Sequence, residues 1–570
     1  MIRRTCAAVA VFLVATCALA QGSAAISDPL LAEMVAWTEV ATDELRLEGA
    51  PAPHRVVTAV VDLRAYGARA SFGELLYEHP NRSRQGRVEV VVGDDRLDSC
   101  RFSDSRQSRW AGRRLNPRQS LTIATDDGEL ALARDLWAST DASYKRAVQM
   151  WKTKVAARRA LGSEDSPPDW SAAEPAVDLD PSPLAPVDQE TLRAIALEAS
   201  AALREVGGLD EAEVTVNGVG FRYYTATSEG TRLIQPDGYA VVHALADLRR
   251  ADGVEIRDEL QWVVSSVSDL PAKQEIVGAV RAMGQSVLAR AGAATVDYYE
   301  GPVVFSDRAA AEFFRYLVPP EIAGTPPPPA ADRSYQRQTR GGPRLGRRLL
   351  PDGWSIVDDP SKAPAGLPGG YVYDREGVRG QRVEVVRDGY VRDLLMSRIP
   401  RLELTRSNGH ARGSIGGGWV ARPAVWKVTP PESQSVKAFA KAVDSARGRA
   451  RQDRILVVHR LGRDRVGRLP APTHAVWRYP DGREEPVDAL EFQNVDRRVL
   501  RDVAAAAGGE QVLAYLADFD PQSRPERDRG LATVLTAPRQ ILVEDLELVF
   551  PGPSGKPRSY PAPPLASAGR

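Results

Sequence analysis

The sequence predicts an α+β protein: an N-terminal α+β part, with antiparallel sheet and helices packed on it, followed by a β-rich C-terminal domain. Three observations predict this. Up to residue 320, alternating apolar runs broken by Asn-Gly, Glu-Gly and Asp-Gly stand beside stretches of helical period. Beyond a proline-rich stretch at 325–346, short strands separated by Gly, Pro and Asp dominate. The 570 residues exceed what one core can serve, so two or three domains are expected.

Residues 1–20 read as a secretory signal. Arg3 and Arg4 precede an apolar run, and Ala18-Leu19-Ala20 is an A-x-A site, with cleavage expected near Ala20. The run is too short for a membrane span, and no other stretch approaches the ~20 apolar residues needed. An exported protein, periplasmic or secreted, is expected. Lipid anchoring through Cys17 is the minor alternative, because Thr16 before it fits poorly.

Region 21–166 then opens with an amphipathic helix over 26–47, where Leu30, Leu31, Met34, Val35, Trp37 and Val40 share one stripe. Two strands are expected within 56–78, another over 87–94, and a helix over 126–154. The Pro/Asp-rich segment 167–190 reads as an exposed linker. Region 191–324 begins with a helix closed by Gly207-Gly208. At least three strands follow, with turns expected at Asn217-Gly218 and Glu229-Gly230. A further strand covers 240–249 with a turn at Asp252-Gly253, then come a helix over 271–291 and a strand over 302–305. Ser306 and Asp307 read as caps for an Ala-rich helix that Pro319-Pro320 stops. After the Pro/Gly-rich loop 325–346, domain 347–550 holds short strands at 355–358, 370–374, 383–387, 390–397, 424–428 and 541–549. Asp388-Gly389 turns a hairpin, and helices are expected at 433–449 and 498–507. The tail 551–570 reads as loose.

Composition excludes several chemistries. Lysine plus arginine equals aspartate plus glutamate at 75 each; losing Arg3 and Arg4 leaves 73 against 75, which argues against nucleic acid as a partner. Only Cys100 survives cleavage, so no internal disulfide and no thiolate pair for metal is expected. The histidines (His54, His79, His243, His410, His459, His474) show no i, i+4 pairing and no H-E-x-x-H. His243 reads as a buried or cross-strand residue. The glycine clusters lack a P-loop lysine, no G-x-S-x-G exists, and Thr227–Gly230 reads as a turn. Asp358-Asp359 reads as an ordinary exposed turn pair. The loop 405–413 is dense in hydrogen-bond donors. Arg406, Asn408, His410 and Arg412 there are candidates for binding a carboxylate or peptide backbone, the plainer reading being a turn with solvated arginines.

The order of motifs resembles the TldD/PmbA family of bacterial metallopeptidase-like proteins. The matching pieces are TSEGTRLIQP (Thr227–Pro236), YYEGPVVFSDRAAAEFF (Tyr298–Phe314), SIVDDP (Ser355–Pro360), YDREGVRGQRVEVVRDGYVRDLLMSR (Tyr373–Arg398), TRSNGHAR (Thr405–Arg412) and LVEDLEL (Leu542–Leu548). The resemblance spans roughly Gln189 to Val549 and is weakest over 426–536. It implies an α+β domain followed by a β-rich one. It also implies a zinc peptidase or an inactive partner subunit around a closed chamber, with unfolded peptides held as an added strand.

Active family members carry H-E-x-x-x-H on the helix after the EGPVVF-like strand, and a cysteine near the C-terminus as third ligand. Laying this sequence on that motif puts Arg315 and Pro320 at the histidines and Tyr316 at the glutamate, and no cysteine follows Cys100. The resemblance therefore implies a member without catalytic residues and without a cofactor, zinc being expected only in active members. It would be a partner subunit of a sibling or of a second copy, or an exported binder of unfolded peptides. The competing readings are a hydrolase recruiting His410, Arg412 or Tyr316, and a purely structural β-rich protein.

Overall fold

The computed structural model describes residues 27–100, 102, 121–126, 129–161, 167–327, 343–416, 418–463, 467–487, 489–493, 495–517 and 531–552. The segment expected to be a secretory signal, with Cys17, most of the proline-rich loop and nearly all of the tail lie outside the described residues. Among the described residues, no helix is long and apolar enough to cross a membrane.

One seven-stranded sheet gathers the first half. Helix α1 (Pro29–Glu44) starts where the Asp28 carboxylate accepts from Leu31 N at 3.0 Å, with Pro29 fixing the first turn. Strands β1 (Pro53–Ser71) and β2 (Glu74–Val92) form a long hairpin, and β3 (Leu121–Ile123) pairs with β2. The second of the two strands expected within 56–78 and the one expected over 87–94 are a single strand, because β1 supplies a continuous partner between them. Helix α2 (Glu129–Leu161) follows, then a short β4 (Val177–Leu179). Helix α3 (Gln189–Val206) is capped by Asp188 and closed by Gly207 at φ 70°. Strands β5 (Glu211–Thr227), β6 (Arg232–Arg249) and β7 (Glu255–Val264) continue, with α4 (Lys273–Ala291) behind them. The spatial order is β3-β2-β1-β5-β6, with both β4 and β7 on β6.

This topology corrects two expectations. Asn217-Gly218 is no turn: β5 runs straight through it, since both of its flanks are paired, with β1 and β6. The segment 167–190 is no free linker between two units. Strands on either side of it share one sheet, β4 pairs in parallel with β6, and the Trp170 ring lies 3.8 Å from the Arg55 guanidinium and 4.7 Å from that of Arg398. Ser171 N donates to Arg398 O at 2.8 Å. Proline and aspartate kept the segment irregular, but aromatic and backbone contacts pin it down.

The second sheet has eleven strands. Strand β8 (Tyr298–Ser306) leads into α5 (Arg308–Leu317) and a single turn, α6 (Pro319–Ile322). Then come β9 (Ser355–Asp358), β10 (Val383–Arg387), β11 (Tyr390–Val391), the separate pair β12 (Ala411–Arg412) and β13 (Val420–Ala421), and β14 (Val425–Thr429). Helix α6 precedes α7 (Val436–Arg449), which is capped by Ser435. Strands β15 (Ile455–Leu461), β16 (Pro472–Arg478), β17 (Glu484–Pro486), β18 (Glu491–Phe492), β19 (Val503–Ala517) and β20 (Leu531–Val549) complete it. The order is β11-β10-β9-β14-β20-β8-β15-β16-β17, with β18 and β19 also on β20.

Here too expectations change. Strand β8 belongs to this second sheet, paired with β20 and β15, so the domain boundary expected at 324 falls too late. The helix expected at 498–507 is a 3-10 turn (Arg497–Asp502) and then strand. Alanine favours helix, but β20 offers that run an edge to pair with. Residues 370–374 and 392–397 are irregular. The Asp388-Gly389 turn stands as expected, with φ of 51° and 78° suiting a two-residue hairpin loop.

The core of the second sheet packs on α5. Phe305 and Phe313 have ring centroids 5.0 Å apart, Phe313 and Phe314 5.3 Å, and Phe314 and Trp354 5.9 Å. Each such ring removed from water contributes about 1.5–3 kcal/mol.

One buried acid in the first sheet sets a pH dependence. Asp247 on β6 lies beside Glu255 of β7, and burial followed by its bond to that carboxyl pushes it up to about 8. An unfolded aspartate titrates near 4, so between about pH 4 and 8 the folded form holds a proton that the unfolded form lacks. Stability should therefore fall as pH rises across that window and level off above it. Asp247→Asn is expected to flatten this slope in urea titrations at a series of pH values.

Candidate functional site

The site starts from α5. Its sequence, Arg-Ala-Ala-Ala-Glu-Phe-Phe-Arg-Tyr-Leu, buries alanine and phenylalanine against both sheet and loops. Arg308, Glu312, Arg315, Tyr316 and Pro319 recur at three- and four-residue steps and fall on one face. That face floors a cleft of about 740 Å3. Glu259 and Gln261 of β7 form one wall, and Leu461–Arg463 after β15 another. Arg412, residues Val420–Pro423, Tyr515 of β19, and Leu531 and Thr533 of β20 close the far side.

Asp307, expected to cap α5, does not do so with its side chain. It sits at φ 54°, and its N–H donates to Arg539 O at 2.7 Å. Pro319 and Pro320 end α5 as expected, and then open the single turn of α6.

The polar groups of the cleft are heavily interlocked. Glu312 is buried; it accepts from Arg308 Nε at 2.6 Å and from Leu461 N at 2.8 Å. Arg308 also donates to Gln261 O at 2.8 Å. Glu259 lies 2.8 Å from His243 Nε2 and accepts from Arg463 Nε at 2.9 Å. Burial alone would raise the Glu259 carboxyl, but His243 and Arg463 outweigh it and hold it at about 2, while burial pushes the His243 imidazole down. Tyr316 Oη donates to Gly462 O at 2.9 Å, and burial raises this phenol and that of Tyr515. Arg412 is buried, with donor bonds to Pro423 O, Ala532 O and Thr533 Oγ1. The Arg315 guanidinium lies 4.4 Å from the Tyr515 ring and 5.1 Å from that of Tyr316.

The sequence-derived candidates divide. Arg315, Tyr316, Pro320 and Arg412 come together in the cleft. Arg406 is exposed elsewhere. Asn408 accepts from Met396 N at 2.7 Å and donates to Leu394 O at 2.8 Å. His410 is fully buried, with Nε2 3.3 Å from Asp358 and Nδ1 3.0 Å from Asn408 Oδ1. These bonds leave Asn408 and His410 braced within the fold, and neither lines the cleft. Asp358, expected in an exposed turn, is fully buried because it also accepts from Ala424 N at 2.8 Å. His243 is the cross-strand residue expected, facing β7.

Sequence reasoning missed Glu259, Gln261, Arg463, Tyr515 and Thr533, which no local pattern marks. Arg308 and Glu312 could have been found, as the polar stripe of an otherwise apolar helix. Among the described residues, the lining holds neither histidine nor cysteine. Among the described residues, no three His, Cys, Asp or Glu side chains are grouped so as to hold a metal ion.

Residues 299–462 match the family model for the PmbA/TldA metallopeptidase C-terminal domain. The chain is 29% identical over 160 residues to the metalloprotease PmbA of Escherichia coli O157:H7. That match covers 28% of this chain and spans about a third, 32%, of that relative. The fold is similar to that of TldE from Thermococcus kodakarensis (TM-score 0.58, 14% identity, 91% of this chain and 100% of that one). It is also similar to a Thermotoga maritima protein described as a candidate modulator of a DNA gyrase (TM-score 0.57, 13% identity, 87% of this chain and 96% of that one).

Proposed function

We propose, from the relation of this chain to the PmbA/TldD metallopeptidase-like proteins, that it is a non-catalytic relative that binds unfolded peptides outside the cytoplasm. It would act beside a sibling subunit or a second copy of itself. The observation that carries this reading is the chemistry of the cleft beside α5. Positions 315, 316 and 320, laid on the family's zinc helix, hold a cation, a phenol and a proline. The nearby carboxylates are already engaged, Glu259 by His243 and Arg463 and Glu312 by Arg308 and Leu461 N, and among the described residues no histidine or cysteine lines the cleft itself. This donor set does not fit zinc. A recruited His410 is disfavoured by its full burial among internal bonds.

What remains is a cleft of peptide-binding size with polar and aromatic walls. The purified protein should carry substoichiometric zinc by elemental analysis and leave unfolded casein intact, yet bind labelled unfolded peptide in anisotropy titrations. Stoichiometric zinc, or casein cleavage by the protein alone, would overturn the reading. Co-purification with an H-E-x-x-x-H-bearing sibling would support the partner-subunit role.

A further inference from the structure

We propose that Arg315 anchors a carboxylate subsite in this cleft, an inference that rests on the peptide-binding reading above. Among the described residues, five arginines and two glutamates line the cleft, a balance that favours an anion. The two glutamates are engaged: Glu312 by Arg308 and Leu461 N, Glu259 by His243 and Arg463. Arg412 donates to two carbonyls and a hydroxyl of its own surroundings. Arg315 differs. Its contacts are the faces of Tyr515 and Tyr316, and among the described residues it has no hydrogen bond or ion pair.

Stacking between two rings orders a guanidinium without using any of its N–H donors. The half-buried group thus presents its donor fork to the cleft, and a carboxylate can accept two parallel bonds from it. On an unfolded peptide that carboxylate is either the chain end or an acidic side chain. An aromatic-flanked cation at this place would orient the chain without cutting it.

The test uses one neutral unfolded peptide in three labelled forms: a free C-terminus, a C-terminal amide, and the amide with one internal glutamate. Each is titrated against the full-length protein, Arg315→Gln and Arg315→Lys, with circular dichroism to confirm that the variants fold. The carboxylate-bearing forms should bind wild type about tenfold more tightly than the neutral amide. Arg315→Gln should erase that difference, while Arg315→Lys keeps part of it. A gain from the free C-terminus supports capture of the chain end, and a gain from the glutamate alone supports capture of a side chain. Equal binding of all three forms to wild type, or a difference that survives Arg315→Gln, overturns the proposal. If no form binds wild type, the peptide reading fails by itself. Succinate then decides the subsite: a rise in melting temperature that is lost in Arg315→Gln supports it, and no rise overturns it.

Discussion

Replacing Asp358 by alanine is expected to lower the free energy of unfolding by about 3–5 kcal/mol. Asp358 ends β9 and is fully buried. One oxygen accepts from Ala424 N at 2.8 Å; the other lies 3.3 Å from both Val425 N and His410 Nε2. Removing the carboxylate strands two backbone N–H groups and an imidazole away from water. His410 is held in turn by Asn408, which ties the loop to Met396 and Leu394, so the loss reaches from β9 to β12. Asp359 provides the internal control. Its side chain only accepts from Ser361 N and Oγ in a short turn, so Asp359→Ala should cost about 1 kcal/mol or less. Urea titrations of both variants decide the matter. Equal losses would show that the buried network does not act as described.

The second large effect is expected at the joint between the sheets. Asp258 on β7 is fully buried and accepts a two-pronged bond from Arg460 on β15, with Nε at 3.0 Å. Its neighbour Glu259 forms a wall of the cleft, and Arg460 stands just before the Leu461–Arg463 wall. Asp258→Ala leaves a largely buried guanidinium without its charge partner, at a cost of about 3–5 kcal/mol. Affinity for a cleft ligand should fall with it, because two walls lose their common brace. The double variant Asp258→Leu/Arg460→Met should recover most of the stability, since a packed apolar pair avoids the desolvation cost of both charges. A double variant no more stable than Asp258→Ala would contradict this account.

Both residues show where reading the chain stops. Asp358 looks like half of an exposed acidic turn, and Asp258 like one of many strand acids. Their weight comes from partners 52 to 202 positions away. The loop 405–413 was legible as dense in donors, but not in where the donors point: Arg412 turns into the cleft, Asn408 and His410 turn inward, and Arg406 faces water.

By itself the sequence determined the α+β composition, most helices with the Gly207 and Pro319-Pro320 stops, the Asp388-Gly389 hairpin, and which side chains stand at positions 315, 316 and 320. Those features are local: periodicity, capping and turn chemistry act within a few residues. Only the tertiary structure decided that β1 pairs with β5 across the presumed linker, that β8 joins β20 and β15, and that one cleft collects residues from β7 to β20. Backbone N–H and C=O groups are the same in every strand, so which strand a given edge accepts is set by burial of distant side chains, not by the letters of either strand.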